Sequence, residues 1–221
     1  MRIRIHSRPI QLFSVFLSFV LSLSFSLLAP GLGHAKDQAD LAKYAPFVAT
    51  SDKGMVVTAG EQASEAGIHM LRQGGNAVDA AVAASFVISV IRPQSTGIGG
   101  GGFFLLYLAK QQETIAVDFR ERAPLAATAD MFIRDGKAVP ELSRNGPLAV
   151  AVPGLIAGLA DVQKKYGTLP LAKVMTPAIF LADEGFPVYP RLAEAIAYRA
   201  KLLAASPETK AIYFRDDRPL G

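Results

Sequence analysis

The sequence predicts an α+β protein in which a short antiparallel sheet packs against helices before and after it. Residues 103–109 form an apolar run and residues 114–119 an alternating run, and a polar turn separates them, which is the pattern of a β-hairpin. Residues 77–91 come before this hairpin and are apolar nearly all round, as in a buried helix. Three segments with helical periodicity follow it.

Composition limits the classes of function. The chain has 221 residues, of which 51% are hydrophobic and 19% charged, so a packed globular protein is expected. Three of its 23 basic residues lie in the first 35, which leaves 20 basic against 19 acidic residues and no basic surface for nucleic acid. Cysteine is absent and only three histidines occur, two of them before residue 36, so neither a metal site nor a cofactor is predicted.

The first 35 residues have the layout of a signal peptide. A basic stretch, 1–8, precedes an apolar run, 10–28, and Gly33 and Ala35 are the small residues expected before a cut near Ala35. The chain is therefore expected to be exported to the periplasm or the cell exterior. The intact mass of the exported chain tests whether the leader is removed. The alternative is a membrane-anchored N-terminus, since a span needs ~20 apolar residues. Residues 36–46 are predicted to be a linker, and residues 47–221 the folded part, whose length allows one large domain or two small ones.

The remaining chain divides into predicted elements. A second hairpin is expected from residues 47–50 and 55–59, because Ser51-Asp52-Lys53-Gly54 between them is a turn signal. Asn76 is a good N-cap for the helix at 77–91. The strand at 103–109 is expected to be covered on both faces. The other expected helices are 61–72, 129–136, 155–166, 169–185 and 190–205, whereas 137–147 and 207–221 are expected to be loop-like.

Gly97, Gly99 and Gly102 match the spacing G-x-G-x-x-G. In a dinucleotide-binding protein this motif follows a strand and opens a helix, whose N-terminus binds the pyrophosphate. Here a helix precedes the glycines and a strand follows them. They are therefore interpreted as a tight backbone connection, in close contact with another segment or a ligand.

Two side chains are candidates for chemistry. His69 lies on the helix predicted at 61–72, where nothing nearby forms an acid–base set, so an ordinary histidine is the favoured interpretation. Arg120 follows the alternating strand. From spacing alone it is either a surface arginine paired with Asp118 or Glu121, or a ligand for a carboxylate, which a guanidinium can bind through two parallel hydrogen bonds.

Three stretches in order resemble the large subunit of γ-glutamyltransferase: GGNAVDAA at 74–81, GIGGGGF at 97–103 and DFRERAP at 118–124. VPG at 152–154 and YG at 166–167 fit the same family. The resemblance implies the αββα sandwich of the N-terminal-nucleophile hydrolases, here incomplete because only part of the large subunit is present. Such a half is expected to leave an apolar sheet face uncovered.

The resemblance also implies a function. An exported precursor cuts itself, and the new N-terminal threonine of the small subunit attacks the γ-glutamyl carbonyl of glutathione or a similar compound, with its own α-amine as base. The acyl group then passes to water or to an amino acid or peptide. Arg120 is the residue that carries over, as the ligand of the α-carboxylate. No Thr-Thr-His-type sequence occurs, so the nucleophile is placed beyond Gly221 and the chain alone is expected to be inactive.

Two alternatives remain open at the level of sequence. One is a non-catalytic exported module that keeps the arginine and binds small carboxylates or a partner chain. The other is a related acylase of the same fold that acts on a different amide, such as a β-lactam side chain.

Overall fold

The computed structural model describes residues 2–5 and 48–221. The chain forms two compact units, Met1–His6 with Val56–Gly221, and Ser7–Met55. In the second unit the described residues, 48–55, hold one local turn, in which the Ser51 hydroxyl accepts hydrogen bonds from the N–H groups of Lys53 and Gly54. The expected hairpin of residues 47–59 is wrong within residues 48–59, which form no strand. Val57 is 81% exposed there, so no packing would hold such a hairpin together.

Six α-helices occur among the described residues. They are α1 Glu61–Arg72, α2 Ala77–Ile91, α3 Leu155–Tyr166, α4 Leu171–Glu184, α5 Pro190–Leu203 and α6 Pro207–Tyr213. The predicted bounds of α1, α2 and α3 are confirmed, and those of α4 and α5 are confirmed to within two residues. None of the described helices is long and apolar enough to cross a membrane.

The main sheet contains β1 Arg2–Ile5, β2 Phe103–Leu108 and β3 Glu113–Asp118 in the order β1-β3-β2, with both pairings antiparallel. The predicted hairpin of β2 and β3 is therefore confirmed, and its register pairs Leu105 with Ala116. Strand β1 comes from the segment predicted to be a leader. Cleavage near Ala35 stays a prediction, and it would remove β1 and open the edge of β3.

Two short hairpins were not predicted. A helix was expected at residues 129–136. The structure instead has β4 Ile133–Arg134 there, which pairs with β5 Lys137–Ala138. Asp135 and Gly136 between them have φ of 50° and 72°, the left-handed conformation that a two-residue hairpin turn requires and a helix excludes. In the expected loop at 207–221, α6 is followed by β6 Phe214–Arg215 and β7 Arg218–Pro219, joined by a turn of the same kind.

Helix α2 lies at the centre of the hydrophobic core. Its buried side chains, including Val82, Phe86 and Val87, pack with those of α1, α3 and α4. The helix begins at Asn76, whose side-chain oxygen accepts from the N–H groups of Val78 and Asp79. The predicted N-cap is thus confirmed, and it satisfies the first N–H groups of α2.

The two faces of the hairpin have different environments. Phe104, Leu106 and Val117 point to the core, and Ile115 is fully buried. On the opposite face Phe103 and Leu105 are each 72% exposed and Tyr107 is 61% exposed. The expectation that β2 is covered on both faces is wrong for the described residues. The expectation that an apolar sheet face is left uncovered is confirmed.

Asp79 is the buried charge of this core, with none of its surface exposed. Its carboxylate accepts hydrogen bonds from Asn76 N (2.7 Å), Thr168 Oγ1 (2.7 Å), Leu169 N (3.0 Å) and Gln163 Nε2 (2.5 Å). Burial raises the pKa of this carboxyl, but the hydrogen bonds from Gln163, Thr168, Leu169 and Asn76 outweigh burial and lower the pKa to about 2. The ionised carboxylate therefore joins the start of α2 to the connection between α3 and α4.

Candidate carboxylate-binding site

Arg120 lies two residues beyond the end of β3, with its side chain 56% exposed. Its backbone N–H donates to the Asp118 carboxylate at 2.9 Å, which holds the chain in a tight turn after the strand. Its guanidinium Nε lies 3.3 Å from Glu121 Oε2. Among the described residues no side chain or carbonyl binds the two terminal guanidinium nitrogens. That edge of the guanidinium is open to a carboxylate, which it can bind bidentately.

Two other segments hold the backbone around Arg120. Gly102 and Phe119 exchange backbone hydrogen bonds, which extends the β2–β3 ladder by one residue pair. On the other side Arg122 and Val152 exchange hydrogen bonds of 3.1 and 2.8 Å. The Gly100 carbonyl accepts from Gly154 N and Leu155 N, both at 3.0 Å, and so joins the glycine-rich connection to the start of α3.

Glu121 is the charged neighbour of Arg120. Its side chain is 24% exposed, and Oε2 is buried and makes no hydrogen bond to the described residues. This carboxylate therefore depends on the arginine for charge compensation. The sequence left open whether Arg120 is a surface residue in an ion pair or a ligand for a carboxylate. The structure contains the ion pair with Glu121, but this pair involves only the guanidinium Nε. It is therefore compatible with a ligand at the two terminal nitrogens.

The other sequence candidates do not join this site. His69 lies on α1, where its ring Nε2 is hydrogen-bonded to the Gln73 side chain. No group of three or more metal-ligating side chains occurs within residues 2–5 and 48–221. The glycines between 97 and 102 follow α2 and precede β2, the order that the sequence predicted and the reverse of a dinucleotide-binding loop.

Sequence reasoning missed the role of residues 152–158 beside the arginine. The triplet Val152-Pro153-Gly154 was interpreted as part of the family resemblance and not as a neighbour of Arg120, yet a Cβ on Gly154 would overlap the Phe119 carbonyl oxygen. A contact between residues 35 positions apart leaves no periodic pattern in a single sequence. The sequence offered one signal for this contact, namely that VPG at 152–154 and DFRERAP at 118–124 both belong to the same family resemblance.

Solved structures share this fold. The chain superposes on the crystal structure of Helicobacter pylori γ-glutamyltranspeptidase with a TM-score of 0.75 and 39% sequence identity, over 78% of this chain and 50% of that chain. This confirms the predicted fold class, an incomplete αββα sandwich of the N-terminal-nucleophile hydrolases.

Sequence comparison assigns the family. The family model described as Gamma-glutamyltranspeptidase matches residues 63–221. The glutathione hydrolase proenzyme of Bacillus subtilis (strain 168) is 45% identical over 170 residues, which are 76% of this chain and 29% of that protein. The acylase ACY 1 proenzyme of Pseudomonas sp. (strain V22) is 42% identical over 179 residues, 78% of this chain and 32% of that protein. The chain belongs to the γ-glutamyltranspeptidase family, and the predicted resemblance is confirmed.

The chain spans less than a third of the length of these curated relatives and half of the solved Helicobacter chain.

Proposed function

We propose that this chain supplies the α-carboxylate-binding part of an enzyme that transfers γ-glutamyl groups from glutathione and related compounds to water, amino acids or peptides. The observation that carries the proposal is the edge of the Arg120 guanidinium to which no described residue binds, in the stretch DFRERAP that carries the resemblance to this family. A γ-glutamyl donor has one free α-carboxylate. Two parallel charge-assisted hydrogen bonds from Arg120 would fix that carboxylate and with it the distance to the reacting γ-carbonyl.

The chemical step belongs to residues outside this chain. In the proposed reaction the hydroxyl of an N-terminal threonine of the small subunit attacks the γ-carbonyl while its α-amine takes the proton. The amine leaving group departs, and water or an acceptor amine then attacks the acyl-enzyme. Arg120 acts in both half-reactions by holding the γ-glutamyl group in place, and the small subunit is accordingly the proposed partner chain.

Arg120→Lys in the complete proenzyme tests this role. Lysine keeps the charge but cannot form the bidentate pair, and a hydrogen bond to a charged group contributes about 1.5–3 kcal/mol. We therefore expect KM for glutathione to rise about tenfold or more. The matched control is Arg72→Lys at the end of α1, which we expect to leave KM unchanged. Equal KM values for the wild type and Arg120→Lys would refute the proposed role.

The acylase relative supports a second candidate, an enzyme of the same fold that acts on a different amide. The two candidates differ in whether the donor needs a free α-carboxylate. Comparing glutathione with a γ-glutamyl donor whose α-carboxylate is an amide separates them. A γ-glutamyl enzyme strongly prefers the free carboxylate. Equal turnover of both donors supports the acylase.

We also propose export through the predicted leader, to the periplasm or the cell exterior. Its support is the basic, apolar and small-residue pattern of residues 1–35.

A further inference from the structure

Three glycines of two separate segments lie against the backbone and side chain of Phe119 and Arg120. A Cβ on Gly101 would lie 2.5 Å from Phe119 O, 2.8 Å from Glu121 N and 2.9 Å from Arg120 Cα. A Cβ on Gly154 would overlap the Phe119 carbonyl oxygen, and a Cβ on Gly158 would overlap the Phe119 side chain. No other residue type fits at these three positions unless the segment that carries Arg120 moves.

Backbone conformation does not explain these glycines. Gly154 has φ of −114°, which any residue adopts, and Gly101 does not have the left-handed φ that favours glycine. The neighbouring Gly99 shows the contrast, because a Cβ there would meet nothing within 4 Å. Space for residues 119–121 is therefore what requires glycine at 101 and 154.

Backbone hydrogen bonds fix the position of the segment that carries Arg120. Gly102 binds Phe119 on one side, Val152 binds Arg122 on the other, and Gly100 binds the start of α3. The segment 119–122 is thus held from both sides, and the Arg120 side chain extends from it toward solvent, 56% exposed. An added Cβ at Gly101 requires a shift of at least about half an ångström, and the atoms that must move belong to the backbone that carries the Arg120 side chain.

We propose that Gly101 and Gly154 are positioning residues that aim the Arg120 guanidinium at the α-carboxylate of the donor. This inference rests on the proposed function of Arg120 and deepens it. The glycine-rich connection, whose spacing resembles a nucleotide-binding motif, packs on one side against the backbone that carries Arg120. The first turn of α3 packs against the same backbone on the other side.

The test measures donor discrimination in the complete proenzyme. For each variant, kcat/KM is measured for glutathione and for a γ-glutamyl donor whose α-carboxylate is an amide, and the ratio of the two is taken. A misplaced guanidinium lowers kcat/KM only for the donor with the carboxylate, whereas a general loss of structure lowers it for both donors. We expect Gly101→Ala to reduce the ratio at least about tenfold, mainly through KM.

The control is Gly99→Ala, in open space two residues away, which we expect to keep the wild-type ratio. Gly102→Ala is the second variant, because its Cβ would touch only the Phe119 ring, at 3.1 Å, and the protein should fold even if Gly101→Ala does not. We expect its ratio to fall between those of the wild type and Gly101→Ala. Equal ratios for Gly99→Ala and Gly102→Ala, or for Gly99→Ala and a folded Gly101→Ala, would overturn the inference.

Arg120→Lys separates this inference from the proposed function. If Arg120→Lys leaves the ratio unchanged, the proposed role of the arginine fails. If Arg120→Lys reduces the ratio and the glycine variants do not, only the positioning role fails.

Discussion

At the scale of single residues, the charge of Asp79 stabilises the fold that carries the site. The carboxylate is fully buried, and its donors come from α2, from α3 and from the connection between α3 and α4. A buried charge is tolerated only when hydrogen bonds replace its hydration. Asp79 therefore links two parts of the chain that are almost 90 residues apart in sequence.

The lowered pKa of Asp79 predicts a pH dependence of stability. Its pKa falls from 3.8 in the unfolded chain to about 2 in the fold, a difference of about 2 kcal/mol. Because the folded pKa is the lower one, this stabilisation is complete above pH 4 and is lost as the pH falls from about 4 to 2. We expect Asp79→Asn to remove that part of the pH dependence and to reduce the free energy of unfolding at pH 7 by about 2–4 kcal/mol.

Urea unfolding of the wild type and Asp79→Asn at several pH values measures both effects. Asp161→Asn is the control, since that carboxylate pairs with Lys165 on the exposed side of α3. We expect a change of less than about 1 kcal/mol for Asp161→Asn. A parallel pH dependence of the wild type and Asp79→Asn would contradict the assignment.

At the scale of elements, β2 is a strand with one core face and one open face. Leu106 packs against the buried core cluster, whereas its neighbour Leu105 is largely exposed. An apolar sheet face of this kind marks an interaction surface. In an αββα sandwich a second sheet covers the face of β2 that is open here. This explains why the sequence of β2 has apolar residues on both faces.

The two neighbours in β2 are predicted to respond differently to the same substitution. Leu105→Thr should leave the free energy of unfolding of the chain within about 0.5 kcal/mol, because threonine suits a strand and the site is open. It should also reduce self-association through the apolar face. Leu106→Thr should destabilise by about 2 kcal/mol or more, because it removes core packing and buries a hydroxyl.

Urea unfolding and sedimentation velocity measure the two quantities. The two variants control for each other, because they make the same substitution in neighbouring residues of β2 and differ only in the face of the strand that is changed. Equal destabilisation by both substitutions would mean that the outer face of β2 is covered.

At the scale of the whole molecule, the proposed function separates the proposed carboxylate ligand from the proposed nucleophile. Arg120 can bind a carboxylate, but no threonine among the 221 residues lies in the Thr-Thr-His-type sequence that the family resemblance requires. Binding and bond cleavage are therefore assigned to different parts of the proposed enzyme.

This division predicts that the 221-residue chain by itself releases no chromogenic amine from a γ-glutamyl anilide. The physical reason is that positioning a donor does not replace an activated nucleophile. A complete proenzyme assayed under the same conditions is the positive control. Amine release by the chain alone, at a rate above the uncatalysed reaction, would show that another group acts as nucleophile.

Local features of the fold were predictable because their causes are local. The N-cap of Asn76, the apolar circumference of α2 and the alternation of β3 each depend on a stretch no longer than α2 and its cap, and their elements were predicted with correct bounds or nearly so. The hairpin at Asp135-Gly136 has an equally local turn signal, which the prediction of a helix at 129–136 overlooked. The segment 207–221 shows the opposite error, because it was expected to be loop-like and forms α6 and a short hairpin.

The sequence by itself determined the α+β class, the family resemblance and the choice of Arg120, because each rests on short patterns that can be recognised one stretch at a time. Only the tertiary structure decided which face of β2 is open, that Glu121 occupies only the arginine's Nε, and that Gly101 and Gly154 confine residues 119–121. These facts depend on distances between segments far apart in sequence. Apolar character and residue spacing do not encode such distances, and packing sets them.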